Sequence, residues 1–60
     1  GVACLKENVL VGVGAALNST ITVGRGVIIT PGSAVMNDVP DNVVMSGVPA
    51  KVIGESRRDR

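Results

Sequence analysis

The sequence predicts an all-β chain wound as a solenoid of stacked three-sided coils. Three observations carry that expectation. Written in blocks of six from Leu5, the chain places Leu5, Val11, Leu17, Val23, Ile29 and Val35 first in each block, aliphatic in every case. The fifth places hold Val9, Ala15, Ile21, Val27, Ser33 and Val39, all small or β-branched. The fourth places hold Asn8, Gly14, Thr20, Gly26, Gly32 and Asp38. Apart from Thr20 these are Gly, Asn or Asp, the residues that tolerate a positive φ. A repeat at fixed period outranks local propensity as a guide to fold.

Neither a helix, with apolar residues at i, i+3, i+4 and i+7, nor a long alternating strand fits this spacing. Apolar positions instead recur at intervals of four and two, which gives very short strands at Val9-Leu10-Val11, Ala15-Ala16-Leu17, Ile21-Thr22-Val23 and Val27-Ile28-Ile29. The outer two residues of each point inward and the middle one outward. The fourth-place residue turns the corner, where a bulky side chain would be strained. Three sides of six residues close one coil from Leu5 to Thr22 and a second from Val23 to Pro40. Stacked coils pair by parallel β hydrogen bonds about 4.8 Å apart. A small sandwich of unrelated Val- and Gly-rich strands is the alternative.

The remaining segments take their places around this beat. Gly1 to Cys4 reads as the end of a preceding coil. Thr20 departs from the corner pattern, so Asn18-Ser19-Thr20 is expected to form a side-chain-bonded turn instead. Pro40 lacks an N–H and stops a strand, and Pro40-Asp41-Asn42 is a turn signal. Val43-Val44-Met45 is expected as a short strand over the open end of the solenoid. Gly47-Val48-Pro49-Ala50 is a second turn, followed by Lys51-Val52-Ile53-Gly54 and a polar end from Glu55 to Arg60. The organisation expected is therefore coils over residues 1–40 and a closing strand, turn and tail over 41–60.

Composition narrows the function. The 60 residues contain no aromatic side chain, so there is no platform on which nucleic-acid bases could stack. Net charge is +1, and the positive charge collects at Lys51, Arg57, Arg58 and Arg60, a pattern more typical of a solvated end than of a nucleic-acid arm. The single Cys4 cannot form an internal disulfide, which points to a reducing compartment such as the cytoplasm. With no His in the chain to pair with it, Cys4 reads as structural rather than nucleophilic. No apolar run approaches the roughly 20 residues of a membrane span, and no signal-peptide pattern is present. Solenoids need about three repeats and capped ends. The chain is therefore expected to be the C-terminal piece of a longer protein, or one stabilised by its oligomer.

Two features together resemble one family. One is the hexapeptide beat. The other is the segment Ser33-Ala34-Val35-Met36-Asn37-Asp38-Val39-Pro40-Asp41-Asn42-Val43-Val44-Met45-Ser46-Gly47-Val48-Pro49-Ala50-Lys51-Val52-Ile53. This is similar to the C-terminal end of the hexapeptide-repeat acyltransferases, which fold as left-handed parallel β-helices. The similarity runs from about Leu5 to Gly54 and is greatest to acetyltransferases acting on sugars, nucleotide sugars or sialic acid. The left hand comes from the resemblance alone, since general chirality rules favour right-handed crossovers. The resemblance also implies a homotrimer, acetyl-coenzyme A as acyl donor in a groove between adjacent solenoids, and a His general base acting on the acceptor amine or hydroxyl. This sequence has no His. The base must then lie in upstream coils, or the chain has no acyltransfer activity.

Family members bond the pantetheine arm of the cofactor through main-chain groups at two stacked corners, which match Val13 and Pro31 here. Val13 can donate its N–H; Pro31 offers only its carbonyl. Both could equally be plain corner residues. Asn37 falls where several relatives carry Lys beside the cofactor, and an amide there can bond without charge. Lys51 matches the family's Lys or Arg after Pro-Ala, near the 3′-phosphate or pyrophosphate, where it acts as a point charge. Arg57 and Arg58 could assist, though a solvated tail explains them more simply. Asp38 and Asp41 flank a turn-forming Pro and read as turn residues rather than an acid–base pair. No metal-binding residues are expected. A non-catalytic trimerisation or assembly module is the main competing function. A carbonic-anhydrase-like solenoid would need three metal-binding His residues, and an ice-binding one a regular Thr ladder. Neither is present.

Overall fold

The computed structural model describes residues 3–56, so Gly1 and the basic tail at Arg57, Arg58 and Arg60 lie outside the described residues. Eight strands follow one another: β1 (Cys4–Leu5), β2 (Leu10–Val11), β3 (Ala16–Leu17), β4 (Thr22–Val23), β5 (Ile28–Ile29), β6 (Ala34–Val35), β7 (Val43–Gly47) and β8 (Ala50–Glu55). The described residues contain no helix, and none therefore that is long and apolar enough to cross a membrane.

Parallel pairing at a fixed interval builds the coil. Cys4 lies opposite Thr22, Leu10 opposite Ile28 and Ala16 opposite Ala34, each pair eighteen residues apart. Three faces result, namely β1 with β4, β2 with β5, and β3 with β6. The first-place residues of the second coil are sealed, with Val23 0%, Ile29 1% and Val35 1% exposed. Ile21 and Val27, in fifth places, are buried beside them. Burial of each such side chain contributes about 1.5–3 kcal/mol. Their counterparts in the first coil have neighbours on one side only, so Leu5 and Val11 remain 48% and 38% exposed.

The corners follow the fourth-place rule. Asn8, Gly14, Gly26 and Gly32 have φ between 60° and 76°. Thr20 adopts the same conformation at φ 67°, contrary to the expectation that its corner would depart from the pattern. Two local bonds accompany it. The Thr20 hydroxyl donates to the Ser19 carbonyl, and the Asn18 amide donates to the Met36 carbonyl at 3.3 Å. Thr20 takes this left-handed geometry although a β-branched residue resists it.

The third coil differs from expectation in register. Val39 bridges Val23 and Met45 lies opposite Ile29, both sixteen residues apart instead of eighteen. Two residues have dropped out of the corner between Val35 and Val39. Val39 therefore enters the first-place column rather than the fifth. Asn42 becomes the fourth-place residue, at φ 59°, and its N–H donates to the Arg25 carbonyl just as Gly26 donates to Glu7 in the coil below. Val43-Val44-Met45 is consequently a third rung on the β2–β5 face, and does not lie across the end of the coil. Val39 and Met45 are buried against the second coil, with Val43 and Ala50 partly buried beside them.

The shortened corner leaves an N–H to satisfy. In the coil below, Cys4 donates to the carbonyl of Ile21, the residue preceding its strand partner. Thr22 donates instead to the carboxylate Oδ1 of Asp38 at 2.9 Å. Asp41 likewise accepts from the Arg25 N–H at 3.0 Å. Both aspartates thus serve the turns, as expected, and Asp38 does so in place of a main-chain acceptor.

A left-handed non-Gly residue costs about 1–2 kcal/mol, and Gly gives back about 0.5–1 kcal/mol in chain entropy. Thr20→Gly is therefore expected to raise unfolding free energy by about 0.5–1 kcal/mol. Denaturant melts check this, and a loss of stability would show that the Thr20 hydroxyl bond outweighs the strain.

Candidate functional site

The corner joining the β2–β5 face to the β3–β6 face has the most unusual build. Gly12-Val13-Gly14 lies below and Thr30-Pro31-Gly32 above, locked by a bond from the Gly32 N–H to the Val13 carbonyl at 3.0 Å. The tiers approach so closely that a Cβ on Gly12 would stand 2.4 Å from the Pro31 nitrogen and 2.7 Å from its Cα. Only glycine fits there, and the neighbour it would strike is Pro31, both its backbone and its ring Cδ. Each corner also closes on itself, with Ala15 N–H donating to Gly12 and Ser33 N–H to Thr30.

This corner presents main chain to solvent. Val13 is 89% exposed and Pro31 is exposed. The Val13 N–H makes no bond to the described residues. Glycine on both sides of Val13 leaves that donor open to a ligand's carbonyl or amide. The third tier of the corner is the turn between β7 and β8, which runs from Gly47 at φ 105° through Val48 and a cis Pro49. It delivers Lys51 to β8, directly opposite Ser46, with its side chain exposed.

Of the expected site residues, Val13 and Pro31 are brought together on one corner, and Lys51 stands on the strand that leaves the tier above them. Asn37 is placed apart. It belongs to the next corner, between β6 and Val39, where Asn18 reaches up to Met36. A ligand touching Asn37 as well as Pro31 would have to run the length of the β6 edge. The outer side of that face is flat, because its outward residues are Ala16 and Ala34.

Ser33 occupies a small fifth place, and at 2% exposed it is the buried polar side chain among the described residues. Its Oγ lies 2.7 Å from Thr30 Oγ1 and accepts from the Gly47 N–H at 3.2 Å. The signal for it was a hydroxyl in a column otherwise filled by Val, Ala and Ile. No group of three His, Cys, Asp or Glu side chains among the described residues is arranged to hold a metal.

No protein-family model matches the chain. Similarity to individual proteins is extensive. The chain is 39% identical over 56 residues to serine acetyltransferase of Escherichia coli strain K12, covering 93% of the chain and 20% of that enzyme. It superposes with a TM-score of 0.88 and 42% identity on serine acetyltransferase of Brucella abortus strain S19 solved in complex with coenzyme A, over 90% of this chain and 22% of that one. It superposes on a galactoside acetyltransferase, also in complex with coenzyme A, with a TM-score of 0.87 and 38% identity, over 92% and 28% of the two chains. The chain thus spans about a fifth of the length of the curated relatives it matches.

Insertion of a Cβ against backbone costs about 1–3 kcal/mol even when the surroundings relax. Gly12→Ala should therefore destabilise the chain by about that amount, and Pro31→Gly should restore it in part at most, since it removes the Cδ contact but leaves the clash with main-chain atoms. Gly54→Ala, where a Cβ meets nothing within 4 Å, is the control expected to be near neutral. Full rescue of Gly12→Ala by Pro31→Gly in thermal melts would contradict the assignment.

Proposed function

We propose that this chain, a relative of the hexapeptide-repeat acyltransferases, forms the donor-binding part of an acetyl-coenzyme A-dependent acetyltransferase. The observation that carries this reading is the stacked corner. Val13, whose N–H makes no bond to the described residues, lies below Pro31 on one corner, and Lys51 is exposed on the strand that leaves the tier above. This order suits a long donor with a polar amide arm and phosphates at its far end. Relatives of the same build are recorded in complex with coenzyme A.

The roles follow from chemistry. Val13 and Pro31 bond the amide arm, and the flat Ala16–Ala34 side lets it lie close. Lys51 meets a phosphate as a point charge. Asn37, on the next corner, bonds the phosphate or adenine of the donor through its amide. The acetyl group leaves a thioester for an amine or hydroxyl whose proton a general base must take. No His is available in these 60 residues, so the base comes from sequence outside them.

The coil is taken as left-handed, following the resemblance. Three copies associate in the cytoplasm, and the outward residues of the β2–β5–β7 face support this. Leu10, Ile28 and Val44 form an apolar stripe up that side, whereas the other faces carry Cys4 and Thr22, or Ala16 and Ala34. The acceptor is a sugar or nucleotide sugar, as in the galactoside enzyme. The serine enzymes show that the same build serves other acceptors. The absence of His also favours a second reading, a non-catalytic assembly module, which would bind no coenzyme A even at millimolar concentration.

The test is calorimetric. Lys51→Ala in the whole protein is expected to weaken coenzyme A about tenfold, equivalent to about 1.4 kcal/mol, and dephospho-coenzyme A much less. Equal losses for the two ligands would remove Lys51 from the phosphate. Failure of the unmutated protein to bind either would favour the assembly module.

A further inference from the structure

Ser33 is out of character with its column. A buried hydroxyl among aliphatic side chains is unfavourable unless it is hydrogen-bonded. Ser33 satisfies that demand on both sides. Its Oγ accepts from the Gly47 N–H at 3.2 Å and is hydrogen-bonded to Thr30 Oγ1 at 2.7 Å, with either hydroxyl able to donate. A single side chain thereby ties the second-tier corner, which carries Pro31, to the first residue of the third-tier turn. That turn ends the regular coil. Beyond Met45 the chain leaves the coil through the hairpin, where Gly47, at φ 105°, pairs with Ala50. β8 pairs along all of β7, and Lys51, opposite Ser46, stands next to the Gly47–Ala50 pair at the turn end of that ladder.

We propose that Ser33 is a positioning residue for donor binding: its hydroxyl fixes the Gly47–Ala50 turn over the Pro31 corner and so sets where the Lys51 ammonium meets the phosphate of the donor. This rests on the donor-binding reading given above. Ser33 itself touches no ligand, since it is 2% exposed. Its effect passes through the Gly47 N–H. Loss of the hydroxyl leaves that N–H without its acceptor and frees the turn, while the coil column loses only a polar atom.

The experiment compares Ser33→Ala, Lys51→Ala and the double variant in the whole protein, with coenzyme A and dephospho-coenzyme A as probes. Ser33→Ala is expected to lower coenzyme A affinity five- to tenfold and to shrink the preference over dephospho-coenzyme A, as Lys51→Ala does. The double variant should be no weaker than Lys51→Ala alone, because both changes remove one interaction. Ser33→Cys, which retains a side chain of similar reach but a poor acceptor, should show the same loss of preference and replaces Ser33→Ala if that variant does not fold. Amide exchange at Gly47 should accelerate at least tenfold in Ser33→Ala, with exchange at Ile29 unchanged. An unaltered ligand preference, multiplicative losses in the double variant, or unaltered exchange at Gly47 would each overturn the proposal while leaving the donor-binding reading intact. If the unmutated protein binds neither probe, the donor-binding reading fails and the positioning role falls with it.

Discussion

Closure of the coil depends on one packing contact repeated three times. Val23, Ile29 and Val35 meet at the axis of the second coil, and each sits above its first-coil counterpart, Leu5, Val11 or Leu17. Strands two residues long cannot hold themselves together, and isolated short pairings are marginal in water. The apolar column gives every rung the same inward partner, so pairing, register and corner position all follow from it. A shift of one residue would turn all three side chains out into solvent. The close corner at Gly12 and Pro31, and with it the candidate donor site, exists only because the column holds adjacent tiers this near.

The third coil shows that the column outranks the spacing. Two residues are missing between Val35 and Val39, and the chain absorbs the loss in the corner so that Val39 and Met45 still enter the axis. What the shortened corner cannot supply as main chain, Asp38 supplies as a carboxylate. Asp41 presses the following turn against Gly24, where a Cβ would stand 2.2 Å from its Oδ1. The closing segment is thus a modified coil joined to the β7–β8 hairpin, with Ser33 at the joint.

Much of this was legible in the residues. The aliphatic first places and the Gly and Asn corners specify an eighteen-residue parallel coil, and the strands pair at that interval. Thr20 is the exception, because the preference of a β-branched residue opposes the left-handed conformation that the fourth place adopts. The run from Val39 to Met45 repeats the beat, with Asn42 in the corner, but it is offset by the two residues missing before Val39 and so falls out of phase with the blocks that start at Leu5. In the candidate site, the stacking of Val13 on Pro31 follows from the period. The separation of Asn37 onto another corner is implicit in the same count. The tie from Ser33 to Gly47 is not, because it joins a coil to a hairpin whose position no period describes.

The inward and outward alternation at the column can be tested with two nearly isosteric exchanges. Val23 is sealed at the axis, and its neighbour Thr22 faces outward on β4. Val23→Thr should cost about 1–3 kcal/mol of unfolding free energy, the penalty for a buried hydroxyl without a partner. Thr22→Val should change it by less than about 0.5 kcal/mol, as surface substitutions do. Equal losses from the two exchanges, or a larger loss from Thr22→Val, would contradict the account.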